Sequence, residues 1–284
     1  MKFLDDFVRS WSYDLPVEVD RTSSIYGSWF LTPTQHAVEF VALNVLFLFG
    51  FFYFLGKALL PGTPIDRAIR TVKQTATGKR SRLNVGMALV LTASLALVTY
   101  HKANANTLYF MLQPCHVSMV SLIAMLLWKD TSRVPHVALN IYFHTVWGTL
   151  LAIAQPDLRD AKQFLEAENF WFEHWVLLIT PLVMIWSNRF AIFPTSFDLA
   201  MASFLAKSLF HSAVLSVVAL YSGHNLNYML EPPLGPLEVF QEFYRLAMYA
   251  FCCLLTYFTR YVLVEFVLRV LPRRARAAPV KKQQ

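Results

Sequence analysis

Residues 38–60 read VEFVALNVLFLFGFFYFLGKALL, and only Glu39 and Lys57 interrupt the run with charge. A bilayer core takes roughly 20 apolar residues in helical form, so this stretch alone places the chain across a membrane. Six further apolar runs follow at about 83–100, 107–128, 134–154, 170–188, 197–221 and 241–268. None alternates polar and apolar residues as a half-buried strand does, and backbone within lipid must satisfy its hydrogen bonds internally. The expected fold class is therefore all-α, a polytopic membrane bundle of seven transmembrane helices over residues 37–271. A partly interfacial N-terminal segment, 1–36, precedes it and a basic tail, 272–284, follows.

Composition excludes the other broad classes. The chain has 284 residues, 56% hydrophobic and 15% charged, whereas soluble domains average nearer ~45–50% apolar and ~25% charged. With 9 Gly, 14 Pro and 3 Cys, neither a collagen-like chain nor a disulfide-stapled secreted module fits. The net charge of +7 would suit nucleic acid, but the basic residues flank apolar runs, so no nucleic-acid partner is expected. Sixteen Lys and Arg fall in the odd connections and the tail, against six in the N-terminal segment and the even connections. Basic residues mark the cytosolic side, which predicts an outside or lumenal N-terminus and a cytosolic C-terminus. Residues 1–36 hold no basic leader ahead of an apolar stretch, so no cleaved signal peptide is expected. Phe3, Leu4, Phe7, Val8 and Trp11 have the spacing of a helix lying along the interface.

Ionisable groups inside a span are costly and face the bundle interior. With this topology and a rise of 1.5 Å per residue, Cys115 and His116 lie about 12 Å below the lumenal start of their run. By the same rise His174 lies about 6 Å down, and His144 and His211 about 15 Å. Five polar side chains thus share one half of the bilayer. Cys115 sits in Gln113-Pro114-Cys115-His116. Proline disturbs the turn before it, and the helix resuming beyond presents a partly positive N-terminus to the thiol, an environment that activates cysteines. Cys252 and Cys253, with no His or Pro beside them, read as packing. Glu173 and His174 are neighbours and do not face each other. Lys207 shares a helical face with His211 and reads as snorkelling or hydrogen-bonded rather than catalytic.

Three function classes fit these residues. A thiolate with a histidine base performs acyl transfer on a lipid through a thioester. A Cys/His/Glu cluster holds a metal such as zinc. Polar residues lining a pathway or pocket make a transporter or receptor.

Several stretches carry a family resemblance: Leu112-Gln113-Pro114-Cys115-His116, His144 with Gly148, Glu173-His174-Trp175 with Pro181, Phe210-His211, and Asn225-Leu226-Asn227-Tyr228-Met229-Leu230. In order and spacing they resemble the transmembrane protein 164 family, over about Tyr100 to Pro232. The resemblance implies a multi-pass acyltransferase, in the endoplasmic reticulum or a connected endomembrane, that moves fatty acyl chains, polyunsaturated ones among them, from phospholipids to lysophospholipids. It carries the family nucleophile onto Cys115. A more distant similarity to androgen-induced-protein hydrolases, which pair threonine with histidine inside the bilayer, points to His174 as base. His116, His144 and His211 become supporting groups that orient the base or stabilise the oxyanion. Gln113, Asn225 and Asn227 become candidates for substrate binding, with no metal and no cofactor required. Two departures bear on acyl preference: Gln113 stands where animal members have Asn, and Phe143, Thr145, Val146 and Trp147 around His144 differ from theirs. The alternative at the same site is a lipid-ester hydrolase, followed by a non-enzymatic transporter or receptor.

Overall fold

A computed structural model describes residues 2–13, 27–75, 81–129, 131–158, 161–187, 189–233 and 235–271. The basic tail from 272 and part of the N-terminal segment lie outside these residues. The described residues are helical, with no strand among them. The helices are α1 (Lys2–Trp11), α2 (Pro33–Ala58), α3 (Pro64–Thr75), α4 (Arg82–Asn104), α5 (Pro114–Leu127), α6 (Val134–Thr145), α7 (Trp147–Ala154), α8 (Glu166–Trp186), α9 (Phe197–Phe210), α10 (Ser216–Ser222), α11 (Tyr244–Phe258) and α12 (Glu265–Val270).

Among the described residues, five helical stretches are long and apolar enough to cross a membrane: Pro33–Ala58, Arg82–Asn104, Val134–Ala154, Phe197–Ser222 and Pro236–Val270. Two of the seven expected spans are absent from that set, each for a local reason. The run at 107–128 is a 3₁₀ turn, Leu108–Leu112, followed by the 14-residue α5. The run at 170–188 lies in α8, whose first half carries Glu166, Glu168, Glu173 and His174. The last two long stretches are interrupted by π turns at His211–Leu215 and Thr259–Val264.

The sequence reading left residues 61–82 as a basic loop, yet α3 forms there. Ile65, Ile69 and Val72 recur on one face and are buried against α2 and the start of α9. Thr63 Oγ1 accepts from the Asp66 backbone at 3.1 Å, and Asp66 accepts from Gly62 N–H at 3.1 Å and from Arg70 at 2.8 Å. The Gly62 N–H, and then Arg70, hold the Asp66 carboxyl below the usual carboxylate range. A depressed acid stabilises the fold above its unfolded value, about pH 4, and loses that contribution as pH falls through its folded value. Protection at the start of α3, taken relative to the intrinsic exchange rate at each pH, should therefore fall below about pH 4, and Asp66→Asn should show the lowered protection already at pH 7. Unchanged protection in the variant would remove the capping role.

α2 packs along α9, where a Cβ on Gly50 would meet Leu205 Cδ1 at 2.9 Å. Its opposite face leaves Val41, Val45, Phe49 and Phe52 exposed, as a lipid-facing helix requires. α1 forms as its spacing requires, with Phe3, Leu4 and Phe7 exposed and Val8 buried.

α4 and α8 are joined by polar contacts that set the height of α8. Ser94 Oγ donates to Asn169 Oδ1 at 2.9 Å, Lys102 Nζ reaches Glu166 at 3.1 Å, and Gln163 donates to the His101 carbonyl at 2.7 Å. Pro181 inside α8 cannot donate to the carbonyl four residues back, and Tyr142 Oη of α6 donates to that Leu177 carbonyl at 3.0 Å. Tyr142→Phe leaves a buried carbonyl unpartnered, a cost of about 1–3 kcal/mol. A lowered unfolding temperature in detergent is the expected result, and an unchanged one would show that the carbonyl finds another donor.

Candidate active site

The chain is extended at Gln113 (φ −55°, ψ 143°), as a residue before proline must be. Pro114 then opens α5, a position where its fixed φ suits the helix and its missing N–H costs nothing. Cys115 is consequently the second residue of a helix rather than a group deep within one. It sits among the unpaired N–H groups of the first turn, where a negative charge is favoured. The expected kink inside a continuous span is thus a full break, and the thiol lies at the open end of the second piece.

Two neighbours on α8 meet that thiol. Cys115 Sγ, a Glu173 carboxylate oxygen and a His174 ring nitrogen all lie within 4.8 Å of one another. Glu173 and His174 are adjacent on α8, and their polar atoms converge with the thiol at the start of α5. His174 Nδ1 lies 2.7 Å from the Phe170 carbonyl. A carbonyl only accepts, so Nδ1 carries the proton and Nε2 is the nitrogen left for the thiol.

His116 ties the same region together. Its Nδ1 donates to the Phe110 carbonyl at 2.9 Å, fastening the 3₁₀ turn onto α5. Its Nε2 stands 3.6 Å from Glu173 Oε2. The other oxygen, Glu173 Oε1, is buried without a hydrogen-bond partner. His116, Glu173 and His174 are all buried.

Lys207, on α9, lies against α7. Its ammonium lies 4.6 Å from the centre of the Trp147 ring, and a Cβ on Gly148 would come within 3.1 Å of it. It interacts electrostatically with Cys115 and with Cys252, and among the described residues no carboxylate forms an ion pair with it. The ammonium is thus held over an indole ring.

The remaining expected residues fall elsewhere. His144 Nδ1 meets the Asn140 carbonyl at 2.6 Å, its Nε2 is buried without a partner, and its electrostatic neighbour is Arg260. Arg260 in turn donates to the Phe193 carbonyl at 2.6 Å. His211, in the first π turn, has its Nε2 3.3 Å from Asn227 Nδ2, and Asn227 adopts a left-handed conformation with φ 48°. Asn225 clamps its own loop: Oδ1 accepts from Leu230 N–H at 2.8 Å and Glu231 N–H at 3.3 Å, and Nδ2 donates to the Glu231 carbonyl at 3.0 Å. These bonds hold the loop's own backbone. The Gln113 side chain makes no cap to α5.

An open groove of about 420 Å³ lies beside Ala124, Leu127, Trp128 and Lys129, at the other end of α5. Convergence of donor atoms, rather than groove size, locates the site at Cys115.

The sequence profile of the TMEM164 family matches residues 30–263. A relative from Dictyostelium discoideum, the transmembrane protein 164 homolog, is 30% identical over 227 residues, covering 78% of this chain and 80% of its own length. No solved structure matches.

Proposed function

Because the chain belongs to the TMEM164 family of multi-pass membrane proteins, we propose that it is an intramembrane acyltransferase that moves fatty acyl chains between phospholipids. The observation that carries this reading is the Cys115–His174 contact, with the imidazole fixed through Nδ1 so that Nε2 is the basic nitrogen. The Pro-Cys-His resemblance adds the substrate class, including the polyunsaturated chains.

The reaction runs in two balanced halves. Cys115 gives its proton to His174 Nε2 as the sulfur attacks the ester carbonyl of a donor phospholipid. The tetrahedral oxyanion collapses, the C–O bond to glycerol breaks, and His174 returns the proton to the departing lysophospholipid. A second lysophospholipid then gives its hydroxyl proton to His174 and attacks the thioester carbon, and the thiol leaves with the proton restored. The Lys207 ammonium, with no carboxylate ion pair among the described residues, is the group we assign to the oxyanion, where preorganised charge contributes most. Glu173, steadied by His116, holds its charge beside the imidazolium that forms on His174.

Seven crossings complete the proposal. Residues 108–127 cross as the 3₁₀ turn with α5, and α8 crosses with Glu166 and Glu173 turned into the bundle. The N-terminus is lumenal and the C-terminus cytosolic, on the distribution of Lys and Arg, and the membrane is the endoplasmic reticulum or one continuous with it.

The test uses purified protein in liposomes with a labelled donor phospholipid and an unlabelled lysophospholipid. Labelled acyl chain on the acceptor is the expected product. Labelled free fatty acid alone would make water the acceptor and the protein a lipid-ester hydrolase. No turnover of either kind would remove the enzyme reading.

A further inference from the structure

We propose that Cys115, Glu173 and His174 also form a three-ligand site for a soft divalent cation, zinc by its donor set, and that the bound cation blocks the thiol. The blocking half rests on the acyl-transfer reading above; the binding half stands without it.

The donors are sulfur, nitrogen and a carboxylate oxygen, the set that zinc takes in sites with three protein ligands and one open position. All three lie within 4.8 Å of one another. Around a tetrahedral zinc with bonds of about 2.0–2.3 Å, such atoms stand roughly 3.3–3.6 Å apart. The difference is at most roughly 1.2–1.5 Å, a distance on the scale of side-chain rotamer changes.

The outer contacts are those that metal ligands require. A ligating histidine donates its other N–H to a carbonyl or carboxylate, and a ligating carboxylate is itself held by a neighbour. His174 Nδ1 is held by the Phe170 carbonyl at 2.7 Å, and Glu173 Oε2 faces His116 Nε2 at 3.6 Å.

The independent observation is Glu173 Oε1, in a side chain 2% exposed, with no hydrogen-bond partner. A buried carboxylate oxygen without a donor is costly, and a cation between it and the thiol supplies what it lacks. Thiolate and carboxylate together carry the two negative charges that a dication needs.

Binding forms Zn–S, Zn–N and Zn–O bonds and breaks the S–H bond, whose proton goes to water. No electron changes hands. With sulfur and Nε2 both committed to the cation, neither nucleophile nor base remains.

The experiment adds cobalt(II) to metal-stripped, full-length protein in nanodiscs and follows the thiolate-to-metal absorption band. One equivalent is expected to bind and zinc to displace it. The band should vanish in Cys115→Ala, persist when Cys252 and Cys253 are both changed to Ala, and need about 10–100-fold more metal in His116→Ala, as loss of an outer partner requires. The isosteric Glu173→Gln keeps shape and should weaken binding as well, which separates ligand loss from misfolding. A band that survives in Cys115→Ala, or none in wild type, overturns the site. Acyl transfer measured in parallel should fall with zinc and recover with a chelator. Full activity at saturating zinc, under conditions where zinc has displaced the cobalt band, overturns the blocking. If the chelator abolishes transfer and zinc restores it, the site stands and the metal-free transfer mechanism is what fails.

Discussion

Cys115→Ala is expected to remove acyl transfer by about 10⁴–10⁶-fold, the size of loss seen when a covalent nucleophile is deleted. No other described thiol substitutes for it. Cys252 lies in α11, held in a separate cluster with Leu215 and Met248, and Cys253 is its neighbour on that helix. Cys115→Ser keeps a nucleophilic atom at the start of α5 but replaces a thiol with a hydroxyl that yields its proton far less readily, so it should recover only traces. Wild type incubated with labelled donor and no acceptor should carry label that hydroxylamine releases, and neither variant should. Because the change removes one sulfur from a half-buried position, folding should be preserved, and an unchanged unfolding temperature would confirm that. Transfer at wild-type rate in Cys115→Ala would make the thiol structural and return the transporter reading to first place.

His174→Gln should cost about 10²–10⁴-fold, the range for loss of general acid–base catalysis. Glutamine fills the space beside Phe170, whose ring lies 4.2 Å from the imidazole, but takes up no proton. The diagnostic is the sulfur itself: alkylation of Cys115 by a small, membrane-permeant maleimide should slow in His174→Gln while the residue stays present and reachable. A lost transfer rate with unchanged alkylation would assign the histidine to substrate placement rather than proton transfer. Lys207→Met, by contrast, should lower transfer while leaving thioester hydrolysis by hydroxylamine untouched.

What the sequence made legible follows from how many coordinates each signal carries. The apolar run at 38–60 fixes α2 almost to its ends, because lipid contact imposes one requirement on twenty residues together. Depth along a helix was also readable, and it grouped Cys115, His116, His144, His174 and His211. Depth is one coordinate, however, and the angle around each axis is set by packing. His144 turns to Asn140 and Arg260, and His211 to Asn227, while Cys115 and His174 meet. Glu173 was set aside because it cannot face the residue next to it. The contact it makes depends on a third element, the start of α5, arriving between α4 and α8. The Pro114 break carried the right consequence, a helix N-terminus at the thiol, although its completeness rests on the 3₁₀ turn held by His116 and Phe110.

The two π turns, His211–Leu215 and Thr259–Val264, each carry one residue more than an α-helix would use, and so act as phase shifts written into the chain. Every residue downstream of such a shift is rotated by about 100° from where regular winding would put it. α9 and α10 therefore present different stripes of their heptad pattern to the same neighbours, as do α11 and α12. Single-residue gaps between relatives at these two places are changes of azimuth rather than of length, and helices there should be aligned face by face.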